Sequence, residues 1–103
     1  MEYPRLKLYE GFGERDIDEM PLKGWFSIDV VLEDGNEYTI TFFDPIRLGQ
    51  ELAACVKSGQ PCFAEENLIV VPEVTFEAVQ RSIEYLWESG FFSTLKSEEA
   101  HNR

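Results

Sequence analysis

Two cysteines, one histidine and a large surplus of carboxylates are the side chains of this sequence with chemistry to offer. Cys55 and Cys62 are the candidate nucleophiles. A thiol works as its thiolate, which needs a basic or positive neighbour. Cys55 falls beside Leu52 and Val56 on the apolar face of a helical pattern, where cysteine acts as a small hydrophobe. The only histidine, His101, is third from the end and far in sequence from both thiols. No glycine-flanked nucleophilic serine occurs. Free, structurally used thiols are expected.

The carboxylates raise two further possibilities, metal binding and acid–base work. Asp16, Asp18 and Glu19 crowd together. A calcium loop counted from Asp16 needs an oxygen ligand at its fifth position, glycine at the sixth and glutamate at the twelfth, and these are Met20, Pro21 and Ser27. Zinc fares no better with two cysteines and one histidine. Gly11-Phe12-Gly13 has the spacing of no phosphate cradle and is followed by acids. A catalytic carboxylate pair requires a cleft that separates the two pKa values, and no acid, base and nucleophile set can be assembled here. No enzyme, no metal and no cofactor is the expectation.

What remains is charge. Twenty Asp and Glu against nine Lys and Arg give a net charge of −11. Nucleic-acid phosphates are bound by Lys and Arg, so such a ligand is disfavoured. An acidic field complements a basic protein and acts mainly on encounter rate and partner choice. The charge is patterned near the C-terminal end. Glu73, Glu77, Glu84 and Glu88 fall within about 60° of each other on a helix of about 100° per residue. Arg81 is the one base among them, and Tyr85 flanks the stripe. A solvated outer face accounts for the carboxylates. An acidic patch with an aromatic anchor accounts for the carboxylates and Tyr85 together, and fits a basic partner.

The elements that position these groups read from periodicity. Residues 5–10 can form a short strand, and residues 14–19 an acidic loop with Phe12, Ile17 and Met20 as anchors. Phe26, Ile28, Val30 and Leu32, then Tyr38, Ile40 and Phe42, alternate with polar residues, the pattern of two strands. Face matching predicts a three-residue hairpin loop, placed at residues 34–36. The other face of this hairpin carries Trp25, Val31 and Phe43 among Ser27, Asp29, Thr39 and Thr41. Those three large groups imply cover, either by Leu8, Tyr9 or Phe12 or by another chain, and Trp25 and Phe43 join the candidate contact residues.

Asp44-Pro45 starts a helix with Leu48, Leu52, Cys55 and Val56 on one face, ending at Ser58-Gly59. Residues 62–64 and 68–71 read as short strands, the second as a central or doubly covered one. A last helix capped by Thr75 buries Phe76, Val79, Ile83, Leu86 and Trp87, and Gly90 stops it. Phe91 and Phe92 fold back, and residues 93–103 fray.

The fold class is therefore α+β: a small two-layer domain over residues 1–103, with a mostly antiparallel sheet and two helices packed on one face. Apolar runs are far too short to span a bilayer, and no signal-peptide core is visible, so a cytoplasmic location without membrane contact is expected. The functional expectation is a non-enzymatic acidic protein-binding domain, in its most concrete form an inhibitor or immunity-type protein masking a basic toxin or nuclease. A structural or assembly protein acting as a homo-oligomer, such as a homodimer, is the alternative, and a small enzyme or ligand binder the third class.

Overall fold

Alternation along the hairpin decides where the core lies. A computed structural model describes residues 3–94. Its elements are β1 (Arg5–Lys7), α1 (Glu14–Lys23), β2 (Trp25–Val31), β3 (Glu37–Phe43), α2 (Pro45–Lys57), β4 (Leu68–Val70), α3 (Phe76–Glu88) and a 3-10 turn, Phe91–Thr94. The tail from residue 95 and His101 lie outside the described residues.

The sheet runs β1-β2-β3-β4 in chain order. The first two pairings are antiparallel and the third is parallel. Trp25 pairs with Phe43, Ile28 with Ile40 and Val30 with Tyr38, so even-numbered residues of β2 and β3 share one face. That face is the core: Phe26, Ile28, Val30, Tyr38, Ile40 and Phe42 pack with Met20, Val71, Val74, Val79, Ile83 and Phe92. Each such side chain gains about 1.5–3 kcal/mol on leaving water, and here they form one contiguous cluster. Among the described residues no helix is long and apolar enough to cross a membrane.

The domain is α+β as expected, but its parts are distributed differently. Two helices do pack on one face. They are α1, through Met20, and α3, through Val79 and Ile83. The helix expected to join α3 there, α2, buries no residue, and Leu52 is 45% exposed. Its apolar spacing fits an amphipathic helix, yet the core face is already filled by the earlier segment. Residues 14–19 are not a loop. Asp16 accepts a hydrogen bond from the Gly13 N–H at 3.0 Å, which supplies one missing partner at the start of α1. Gly24 ends that helix at φ 75°, and a Cβ there would lie 2.9 Å from an Asp44 carboxylate oxygen.

The hairpin loop has the expected length one residue earlier. Gly35 donates to the Leu32 carbonyl at 2.9 Å and Leu32 to the Asn36 carbonyl at 2.9 Å, so residues 33–35 form the loop. Gly35 sets this register because the last loop position is left-handed, at φ 89°. Residues 62–64 form no strand, and β4 is an edge strand rather than a central one. Its apolar run splits: Val71 is buried, Ile69 half-buried and Val70 47% exposed.

Candidate interaction surface

The outer face of α3 is built by its own cap and by the core beneath it. Thr75 Oγ1 accepts from the Ala78 N–H at 3.0 Å, fixing where the helix begins. Val79 and Ile83 turn inward with 0% and 2% exposure. Glu77, Glu84, Tyr85 and Glu88 are thereby left exposed on the far side, Tyr85 at 69%. Arg81 pairs with Glu77 at 3.6 Å with both side chains well exposed, a pairing worth little in water. Glu73 precedes the cap, is exposed, and lies outside the helix.

Tyr3, before β1, joins this face, a placement that no spacing or periodicity signals. Its hydroxyl lies by the Glu88 carboxylate, and interaction with Glu88, with a smaller contribution from Glu84, raises the phenol above its ordinary pKa of 10.0. The ring lines a shallow surface depression with Trp87, Glu88 and Gly90. The acidic stripe is thus flanked by two aromatic rings, Tyr85 on the helix and Tyr3 beside its end.

The opposite side of the domain, the outer face of the sheet, is mostly polar and internally satisfied. Ser27 and Thr41 hydroxyls lie 2.8 Å apart, Thr39 donates to Asp29 at 2.7 Å, and Lys7 reaches Glu37 at 3.1 Å. Trp25 and Phe43 meet here as cross-strand partners but differ in exposure. Trp25 is 37% exposed with the Lys23 ammonium 5.9 Å from its ring centre. Phe43 is 5% exposed, under the stacked Phe63 ring and the Arg47 guanidinium. Over Phe43 the cover expected from Leu8, Tyr9 or Phe12 is instead supplied by α2 and the segment after it, while Tyr9 lies beside Trp25. Phe12 points to the other side, against Phe26 and Phe76. Phe43 drops out as an available contact, and Trp25 remains.

One small cleft, of about 170 Å³, separates Tyr9, Asp16 and Lys23 from Trp25 and Phe26. Its carboxylate is already engaged. Tyr9 donates to Asp16, which also accepts from Gly13. Those bonds lower the Asp16 pKa from its ordinary 3.8, and the same Tyr9–Asp16 bond raises Tyr9 from 10.0. These bonds thus hold the start of α1 to the segment that joins it to β1. Both cysteines are free thiols, Cys55 half-buried and Cys62 exposed. Among the described residues no group of three His, Cys, Asp or Glu side chains is placed to hold a metal ion.

The structure therefore gathers Glu77, Glu84, Tyr85 and Glu88 on one face and keeps Trp25 on the other side of the domain. Compared with known proteins, the chain matches no family model, no curated protein and no solved structure.

Proposed function

We propose that this chain acts by binding a basic protein partner through the outer face of α3. The observation that carries the reading is the exposed acidic stripe Glu77, Glu84 and Glu88 with Tyr85 beside it and Tyr3 next to Glu88. Carboxylates in water supply long-range attraction and select partners by sign, whereas an exposed ring supplies area that gains by leaving water. Amphipathic helices need a polar outer face in any case. They do not need an aromatic ring 69% exposed in the middle of it.

In its most concrete form the domain is an inhibitor or immunity-type protein that masks a basic toxin or nuclease. Size and a net charge of −11 support that form at the level of a class. The test is paired capture from the native host by the wild-type chain and by a variant with Glu77, Glu84 and Glu88 changed to Gln and Tyr85 to Ala. A basic protein retained by the wild type and lost by the variant supports the assignment. Equal retention by both removes α3 from the binding site.

A further inference from the structure

The helix that the core does not use has an outward face unlike the rest of the surface. α2 contributes no buried residue, and Ile46 and Val56 are 72% and 58% exposed. Its contacts to the body run through Arg47, Leu48, Glu51 and Cys55, which are half-buried. At about 100° per residue, Ile46, Gly49, Ala53 and Val56 fall within about 80° on the far side, flanked by Leu52 on one edge and by Lys57 and Gln50 on the other. No acid lies on that side. Glu51, the one carboxylate of the helix, is on the body side and pairs with Arg47 at 3.7 Å. With Arg47 and Lys57 against Glu51, the helix carries +1 within a chain of −11.

We propose that α2 is a self-association surface, on which two copies of the chain pair their α2 helices antiparallel through Ile46, Gly49, Ala53 and Val56. The occupant follows from the symmetry of the pattern. Ile46 lies five residues before Glu51 and Val56 five after; Gly49 lies two before and Ala53 two after. A two-fold axis at the level of residue 51 therefore sets Ile46 against the second copy's Val56 and Gly49 against its Ala53. Such a contact is isologous and closes on itself. The spacing of three, four and three residues is that of a helix-pairing seam, and the small central residues let the backbones approach.

Charge points the same way. The antiparallel arrangement brings Lys57 of each copy to the other's Asp44, at the N-terminal end of α2, and opposes the two helix dipoles. Two copies at −11 each repel over most of their surface. The outer side of α2 is a place where they can meet without bringing carboxylates together. One helix pair buries less than the roughly 1,200 Å² of a standard interface, so the dimer is a weak one.

The experiment is sedimentation equilibrium of the full chain under reducing conditions, which keep Cys62 from cross-linking copies. From about 10 µM to about 1 mM, the range in which an interface of this size associates, the mean mass should rise from 11.9 kDa toward twice that value. Ala53→Glu places a carboxylate at the centre of the seam, and Val56→Glu one near its end. Ala53 and Val56 are both exposed, so the fold should survive in each variant, as circular dichroism and melting temperature will show. Each variant should stay at 11.9 kDa over the whole range. A wild-type mass fixed at the monomer value overturns the proposal. So does a dimer that both variants form as well as the wild type, which would place the contact elsewhere, such as the β4 edge. Partner capture through α3 can be measured on the monomeric variants, so the two readings fail independently.

Discussion

Phe63 lies nearly flat against Phe43, with ring centroids 5.7 Å apart and the planes inclined by 23°. Phe43 belongs to the sheet face opposite the core, and Phe63 to the irregular segment between α2 and β4. The segment, together with the Arg47 guanidinium of α2, thus closes the apolar end of an otherwise polar face.

Removing that lid has a measurable cost. Phe63→Ala loses a stacked aromatic pair, worth about 0.5–1.5 kcal/mol, and part of the burial of a half-exposed ring. A total loss of about 1–3 kcal/mol in denaturant unfolding is expected, below the cost of a fully buried phenylalanine. A loss under half a kcal/mol would show that Phe43 is covered by something other than Phe63.

The unequal roles of the helices predict unequal mutations. Ile83 is 2% exposed and touches the core; Leu52 is 45% exposed on a helix with no buried residue. Ile83→Ala should cost about 2–5 kcal/mol. Leu52→Ala should cost under about 1 kcal/mol, as partly exposed positions do. Similar values for both would mean that α2 packs in the core after all.

That contrast marks the limit of what the sequence could reveal. The β2–β3 faces were legible because a period of two allows only two answers, and the buried one is the more apolar. The α3 cap at Thr75 and its stripe were legible because capping chemistry and helical spacing agree there. Leu52 was not, because amphipathicity says which face is apolar but not whether a neighbour covers it. The α1 helix was hidden by Asp16, Asp18 and Glu19, which read as a solvated loop; the hint was Asp16 three residues after Gly13, the spacing at which a side chain reaches back to the cap. At the candidate surface, Glu77, Glu84, Tyr85 and Glu88 shared a face by arithmetic. Tyr3 joined them only through tertiary packing, and Phe43 left the surface for the same reason.

Stability should depend on pH in two opposed ways. Repulsion among the excess carboxylates is relieved as they protonate, so the melting temperature should rise modestly from pH 7 to about pH 5. Below that interval Asp16 acts in the opposite sense. Its folded-state pKa is lowered by the bond from Tyr9, so its contribution is present above 3.8 and is lost as pH falls through the lower folded value. Tyr9 is the mirror case: raised in the fold, it contributes below 10.0 and loses that contribution as pH climbs through the higher folded value. Tyr9→Phe should therefore flatten both the acid and the alkaline limbs of a melting-temperature profile. A wild-type melting temperature that falls steadily from pH 7 to 5 would mean that specific carboxylate contacts outweigh the net charge.

The two thiols should be separable by rate. Cys62 is exposed in an irregular segment, and Cys55 is half-buried on the body side of α2. A polar thiol reagent should modify Cys62 first, with Cys55 following at least several-fold more slowly because local opening must expose it. Mass spectrometry of proteolytic fragments over time gives the order. Faster labelling at Cys55 would place that face of α2 in solvent and reverse the assignment of its inner side.

The α3 face makes a kinetic prediction that separates its two kinds of side chain. Glu84 is exposed and acts on an approaching partner through its field, so Glu84→Lys should chiefly slow association and weaken its salt dependence. The equilibrium change for one such charge should be about 0.2–1 kcal/mol. Tyr85 acts only after contact, by leaving water. Tyr85→Ala should leave association almost unchanged and speed dissociation, at about 2 kcal/mol or roughly thirtyfold in affinity if the ring is a central anchor. Surface plasmon resonance with the captured partner at two ionic strengths reads both quantities. Should Tyr85→Ala instead change neither rate, the exposed ring is no anchor, and the acidic stripe works by steering alone.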